Sequence, residues 1–114
     1  MFKCSISALT ASVFLALSVA APAQAAIDED AAKALAKSND CLKCHAVDKD
    51  KKGPSMAKIS AKYKGKADGQ EKAIKNMTEG QKVKLSDGTE EKHKIIDTKD
   101  MKELKNIADW YLSH

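Results

Sequence analysis

The sequence predicts a small all-α domain of four or five short helices. Apolar residues recur at helical spacing in four separate segments, and no segment shows the alternation of a strand-rich protein. The length is the third observation. Once an N-terminal targeting segment is removed, the chain is near the size at which a hydrophobic core alone gives little stability. A domain of this size needs a covalent staple or a large apolar cofactor at its centre.

The first 25 residues have the pattern of a secretory signal peptide. Lys3 precedes a broadly apolar stretch that ends in the small-residue exit Ala23-Gln24-Ala25. We therefore expect cleavage after Ala25 and export to the periplasm, leaving one mature domain of residues 26–114, which is 89 of the 114 residues. No segment has the roughly 20 uninterrupted apolar residues that a stable membrane span requires.

The first predicted helix covers "EDAAKALAKSND", and either Asp28 or Asp30 can cap it. Its predicted apolar face consists of Ala31, Ala34 and Leu35. This helix leads the chain into the cysteine segment.

A polar, turn-rich stretch follows the cysteines and ends at Gly53-Pro54. The next segment, "SMAKISAKYK", predicts a second helix, because its apolar residues recur at helical spacing. These residues are Met56, Ala57, Ile59 and Tyr63.

A further helix is predicted over "GQEKAIKNMTEG". Asp68 and Glu71 have the spacing of a capping box, and Gly80 is the expected C-terminal stop. Ile74 and Met77 mark its apolar side.

Residues 81–96 contain Asp87-Gly88 and predict an irregular loop or a brief hairpin-like excursion. Asp97 or Thr98 is expected to start the last helix, and Ile96 can form a hydrophobic staple with Met101 if Asp97 is the cap. One apolar stripe then runs to the C-terminus through Met101, Leu104, Ile107, Ala108, Tyr111 and Leu112.

The segment Cys-Leu-Lys-Cys-His at residues 41–45 carries the chemistry of the chain. A structural zinc needs four ligands, and only His93 and His114 remain as further soft donors. A redox dithiol usually opens a helix in a βαβ setting, which this chain lacks, although a plain disulfide stays open. Covalent haem attachment fits the motif, because two thiols one helical turn apart add to the porphyrin and the adjacent histidine lies under the iron.

With this motif, the mature chain resembles a class I c-type cytochrome of the small bacterial kind. The resemblance covers nearly all of it, through "CLKCHAVD", "KKGPSMAKISAKYKG", "AIKNMTEG" and "MKELKNIADWYLS". It implies one covalent haem c held by Cys41 and Cys44, with His45 as proximal iron ligand. By the same resemblance, Gly53 and Pro54 support His45, and Pro54 helps to hold a carbonyl that receives the imidazole N–H.

The chain departs from this family at the sixth iron ligand, which is typically a methionine in the loop before the last helix. Here that loop reads "SDGTEEKHKIIDTKD" and contains no methionine, but His93 lies within about a residue of the expected position when the C-terminal "ADWYLS" patterns are aligned. We therefore predict His93 as the distal ligand. The alternatives are Met101, Met77, or an open or lysine-ligated iron with Lys92 or Lys94.

If two imidazoles saturate the iron, we expect a low-potential carrier of single electrons and not an enzyme. The domain can also serve as the haem subunit of an oxidoreductase. The main alternative is a sensor or binder of nitric oxide or carbon monoxide with a displaceable sixth ligand. A small peroxidase and a thiol oxidoreductase are weaker alternatives. We expect a monomer.

The charge pattern limits the partners. All 20 basic side chains are lysines against 16 acidic ones, and the absence of arginine argues against nucleic acid. Most of these lysines form a solvated surface, while a lysine-ringed face for docking acidic redox partners is the alternative reading.

Overall fold

The computed structural model describes residues 26–114, so the predicted signal peptide lies outside the described residues. The described chain is mostly helical, which confirms the all-α class. Its five helices are α1 (Glu29–Ser38), α2 (Cys41–Cys44), α3 (Met56–Tyr63), α4 (Gly69–Thr78) and α5 (Met101–Leu112). Two short strands, β1 (Lys82–Lys84) and β2 (Glu90–Lys92), lie between α4 and α5.

The C-terminal helix α5 is the centre of the packing, since it contacts α1, α3 and α4. Buried side chains from these elements and from the segment before α5 form one hydrophobic core: Ala32, Ala36, Met56, Ile96, Leu104, Ile107, Trp110 and Tyr111. Leu35 and Ile59 are half-buried against this core. Within the described part of the chain, none of the helices has both the length and the apolar character to cross a membrane.

Helix α1 begins where the sequence predicts but buries a different face. The Asp28 carboxylate accepts the Ala31 N–H at 3.0 Å and caps the helix. Ala32 and Ala36 are buried, whereas Ala31 and Ala34 are exposed, so the predicted face is wrong by one position. Several stripes of an alanine-rich helix are equally apolar, and the close approach of α5 selects the one that faces it.

The start of α1 is joined to α5 by two reciprocal hydrogen bonds. The Asp28 N–H donates to the Asn106 side-chain oxygen at 2.8 Å, and the Asn106 amide donates back to the Asp28 carbonyl at 2.8 Å. These bonds join residues 78 positions apart in the sequence.

Helix α3 begins as predicted, with the Ser55 hydroxyl accepting the Lys58 N–H at 3.2 Å. Met56 is buried and Tyr63 is half-buried, as predicted. Ala57 is exposed, and the buried position on this face is Ser60 instead. The Ser60 hydroxyl donates to the carbonyl of Leu112 in α5 at 2.8 Å, which explains how a polar residue is accommodated there.

Helix α4 ends as predicted but is not capped as predicted. Gly80 follows the last turn with φ +62°, a left-handed conformation that suits glycine and stops the helix. Asp68 precedes the helix without a side-chain cap bond, because its carboxylate pairs with Lys72 at 3.0 Å. The predicted capping box with Glu71 is therefore wrong.

Helix α5 starts at Met101, which is three residues after Thr98, the second of its two predicted starts. The Asp100 carboxylate accepts the Lys102 N–H at 2.9 Å and caps the helix, so neither Asp97 nor Thr98 is the cap. Met101 is 51% exposed, and its predicted place on the apolar stripe is wrong. The stripe begins one turn later, at Leu104.

The excursion between α4 and α5 is a hairpin. Strands β1 and β2 pair antiparallel, with Lys82 opposite Lys92 and Lys84 opposite Glu90. Asp87 orders the turn by accepting the Thr89 N–H at 2.9 Å, and the strand β2 then leads directly to His93.

Candidate functional site

A cavity of about 440 Å³ lies between α2, α3, α4, the hairpin and α5. Cys41, Cys44, His45 and His93 all line it, and apolar side chains form much of the remaining wall. The apolar wall consists of Ile59, Tyr63, Ala73, Met77, Val83, Leu85, Ile96 and Tyr111. Its volume is within the range of about 300–1,000 Å³ that small-molecule and cofactor sites occupy.

The two cysteines lie one turn apart on the short helix α2. Asp40 adopts a left-handed conformation with φ +60°, which turns the chain from α1 into α2. Both thiols are free and half-buried, and burial raises the pKa of the Cys41 thiol. The spacing and position therefore suit addition of both sulfurs to one planar group in the cavity.

The His45 imidazole is held by a backbone carbonyl. Its Nδ1 lies 2.6 Å from the Pro54 carbonyl oxygen, which can only accept, so Nδ1 carries the proton and Nε2 keeps a lone pair. Burial lowers the pKa of His45, and the bond to Pro54 opposes this shift more weakly. The Tyr111 ring packs edge-on at 6.1 Å from the imidazole and fixes its orientation.

Gly53 is the residue that lets this loop approach the imidazole. A Cβ at this position would lie 2.7 Å from His45 Cε1 and 3.1 Å from His45 Nδ1. The Gly53 N–H also donates to the Cys44 carbonyl at 2.9 Å, which ties the loop to the end of α2. A side chain at residue 53 would therefore displace the imidazole or the loop.

We expect Gly53→Ala to cost about 1–3 kcal/mol of unfolding free energy, since the added methyl group overpacks the site. The absorption spectrum of the haem-loaded protein should change as well, because the His45 ring must move. Gly65→Ala is the matched control: position 65 has φ +75° and open space around a built Cβ, so it tests only backbone strain. Equal spectra for the two variants would contradict the steric role of Gly53.

His93 follows β2 and faces the same cavity. Its backbone N–H donates to the Gln81 carbonyl at 2.8 Å. Its Nδ1 lies 2.8 Å from the Lys94 carbonyl oxygen, so this ring also carries its proton on Nδ1 and leaves the Nε2 lone pair free. Both imidazoles therefore have the tautomer that can bind a metal through Nε2.

The two imidazoles have the separation that one shared metal ion requires. Their ring centroids are 6.2 Å apart, with the planes tilted by 41°. An imidazole nitrogen binds a transition metal at about 2.0–2.1 Å, so two such bonds and the two half-rings together span roughly 6 Å. The residues present therefore fit an iron between His45 and His93.

The other candidate ligands occupy different places. Met77 lines the cavity from α4, while Met101 is exposed and is not part of the lining. The Lys94 ammonium is engaged by Asp40, 3.0 Å away. His114 packs against Trp110 at 5.4 Å. Among residues 26–114, no three His, Cys, Asp or Glu side chains come close enough to form a protein-only metal site such as zinc.

One set of cavity residues has no signal in the sequence. Tyr63, Asn76 and Gln81 form a hydrogen-bonded chain, with Asn76 Nδ2 donating to the Tyr63 hydroxyl at 2.9 Å and Gln81 Nε2 donating to Asn76 Oδ1 at 3.2 Å. They come from α3, α4 and the segment before β1, and no spacing rule connects them. Only the fold brings them together.

Five short helices around a cavity, with two thiols one turn apart and an adjacent imidazole at its wall, define a c-type cytochrome. The family model "Cytochrome c" matches residues 29–114, and the chain belongs to this family. The family binds haem c covalently through its Cys-x-x-Cys-His motif, and Cys41 and Cys44 have that spacing. The chain is thus a monohaem electron carrier that exchanges electrons with redox partners.

Two solved structures confirm the class I resemblance. The class 1 cytochrome MtoD from Sideroxydans lithotrophicus ES-1 is 53% identical over 77% of this chain and 97% of that chain, with a TM-score of 0.73. Cytochrome c552 from Nitrosomonas europaea is 28% identical over 71% of this chain and 96% of that chain, with a TM-score of 0.58. The search of curated proteins finds no match.

Proposed function

We propose that this chain is a periplasmic carrier of single electrons whose iron is held between His45 and His93 at a low potential for its class. The 6.2 Å separation of the two imidazoles across the cavity carries this proposal. Cys41 and Cys44 would hold haem c covalently, and haem supplies one-electron chemistry when it is bound.

The protein residues orient the two ligands and keep water away from them. Each imidazole donates its Nδ1 proton to a backbone carbonyl, Pro54 for His45 and Lys94 for His93, which fixes the ring and raises its basicity. Ile96 and Tyr111 are almost fully buried at the cavity wall. A second imidazole in place of a thioether favours ferric iron, so the midpoint potential is expected to be low.

The spectrum of the oxidised holoprotein tests this ligand set. We expect a low-spin, six-coordinate haem with an electron-paramagnetic signal of two imidazoles, and loss of that signal in His93→Ala. A methionine–iron charge-transfer band would instead assign Met77 or Met101 and contradict the role of His93. A high-spin spectrum in the unmodified protein would support the ligand-binding alternative.

The mouth of the cavity supports docking of an acidic redox partner. Lys58, Lys62, Lys84 and Lys94 all line it. Lys58 forms an ion pair with Asp50, and Lys94 forms one with Asp40. The charges of Lys62 and Lys84 are not offset by these two ion pairs, so these lysines are the better candidates for attracting an acidic partner. Charge complementarity of this kind mainly increases the rate of encounter.

We expect Lys62→Glu/Lys84→Glu to slow electron exchange with an acidic partner roughly tenfold at low salt, since electrostatic steering changes association rates by about 10–1,000-fold. Lys102→Glu/Lys105→Glu, which changes two exposed lysines on α5, is the charge-matched control. Exchange rates that stay constant as salt is raised would rule out the docking role.

The start of the chain enters the proposal only through export. The signal peptide proposed for residues 1–25 predicts that the exported protein begins at Ala26. Intact-mass measurement of the protein released from the periplasm tests this directly, and a mass that still includes residues 1–25 would exclude cleavage.

A further inference from the structure

The segment that carries His93 is pinned to the rest of the protein at both of its ends. We call residues 93–97 the His93 loop. Two of its contacts are backbone bonds to the segment that ends α4: the His93 N–H donates to the Gln81 carbonyl at 2.8 Å, and the Ile96 N–H donates to the Met77 carbonyl at 2.9 Å. These bonds set the path of the loop over the cavity.

Two further contacts come from side chains of the turn between α1 and α2. The Asn39 side-chain oxygen accepts the Asp97 N–H at 2.8 Å, and the Asp40 carboxylate accepts from the Lys94 ammonium at 3.0 Å. The bonded residues are 58 and 54 positions apart in the sequence. This turn leads directly into Cys41, so one turn contacts both the cysteine helix and the His93 loop.

The turn is itself held firmly and independently of the His93 loop. The Asn39 amide Nδ2 donates to the Leu35 carbonyl at 2.9 Å, and the Asn39 backbone N–H also donates to Leu35, which closes the end of α1. The Asp40 carbonyl accepts the Lys43 N–H at 3.1 Å, at the start of α2. The left-handed φ of +60° at Asp40 is one that aspartate tolerates better than most residues.

We propose that Asn39 and Asp40 are positioning residues that hold His93 over the cavity and thereby resist its displacement by external ligands. This inference rests on the proposed ligation by His93. An external ligand can bind only when the His93 loop opens, so the contacts made by Asn39 and Asp40 set the population of the open form. Their expected effect is on ligand entry, not on the resting ligand set.

Cyanide binding to the ferric holoprotein measures this opening. We expect Asn39→Ala/Lys94→Ala to bind cyanide roughly tenfold faster than the unmodified protein, because the exposed hydrogen bond to Asp97 and the exposed ion pair of Lys94 with Asp40 are both lost. The resting spectrum should stay low-spin. Asp40→Asn is the second variant, in case the double variant folds poorly, since asparagine keeps the left-handed turn.

The chain offers two matched controls. Lys43 pairs with the other oxygen of the Asp40 carboxylate at 2.9 Å and does not touch the His93 loop, so Lys43→Ala removes the same charge without releasing the loop. Asn39→Asp keeps an acceptor for the Asp97 N–H but loses the donor to Leu35. Both should bind cyanide at the rate of the unmodified protein. A Lys43→Ala rate as high as that of the double variant would overturn the proposal.

The same measurements in a His93→Ala background separate ligation by His93 from the positioning role of Asn39 and Asp40. Without the ring, cyanide should bind fast, and Asn39→Ala/Lys94→Ala should add nothing further. If His93→Ala leaves spectrum and cyanide rate unchanged, the ligation by His93 fails. If His93→Ala accelerates cyanide binding but Asn39→Ala/Lys94→Ala does not, the ligation stands and the positioning role is refuted. The same conclusion follows if Asn39→Ala/Lys94→Ala still accelerates binding when His93 is absent.

Discussion

Replacing His93 with methionine is expected to raise the midpoint potential by on the order of 0.1 V, a modest part of the range of about 0.8 V over which axial ligands set haem potentials. A thioether stabilises ferrous iron, whereas the second imidazole favours ferric iron. The backbone bonds of the His93 loop to Gln81 and Met77 do not involve the ring, so the new side chain should enter the cavity at the same place. Potentiometric titration of the two holoproteins measures the difference.

Met77→Leu is the control for this substitution. Met77 lines the same cavity, and leucine keeps its apolar volume while removing the sulfur. Its midpoint potential should match that of the unmodified protein. A potential that moves in Met77→Leu and stays constant in His93→Met would transfer the sixth ligand to Met77 and end the low-potential assignment.

Replacing both Cys41 and Cys44 with alanine should abolish covalent haem attachment and remove most of the helical structure. The cavity of about 440 Å³ sits inside a small domain, and an apolar group that fills it supplies buried surface that the core alone lacks. Haem staining after denaturing electrophoresis measures the attachment, and far-ultraviolet circular dichroism measures the helical content.

Cys44→Ala alone and Lys43→Ala complete this experiment. The single cysteine variant keeps Cys41, so some covalent haem should remain, at lower yield. Lys43 lies between the two cysteines, is exposed, and should not be needed for attachment. Haem that remains covalently attached when both cysteines are absent would show that a different residue holds it.

The local features of the site could be predicted from the sequence, because they depend on residues close together in the chain. The haem motif at residues 41–45 requires only one helical turn, and Gly80 stops α4 through its own backbone conformation. The hydrogen bond from His45 to the Pro54 carbonyl joins residues nine apart and was expected from the family resemblance.

The features that were missed depend on packing between distant elements. The buried face of α1 follows from where α5 lies, and the late start of α5 follows from Asp100 being the residue that reaches an N–H of the helix. The contact of Asn39 with Asp97 and the chain from Tyr63 to Gln81 likewise join separate elements. No short-range rule specifies such pairs.

The reciprocal bonds between Asp28 and Asn106 have a consequence for the order of assembly. They join the first and last helices, so the core closes only after the C-terminal helix has been synthesised and has returned to α1. Until then, Tyr111 is absent from the wall beside the cysteine helix. We therefore expect the thiols to be most accessible to the attachment machinery in the still-open chain, with haem attachment preceding closure of the fold.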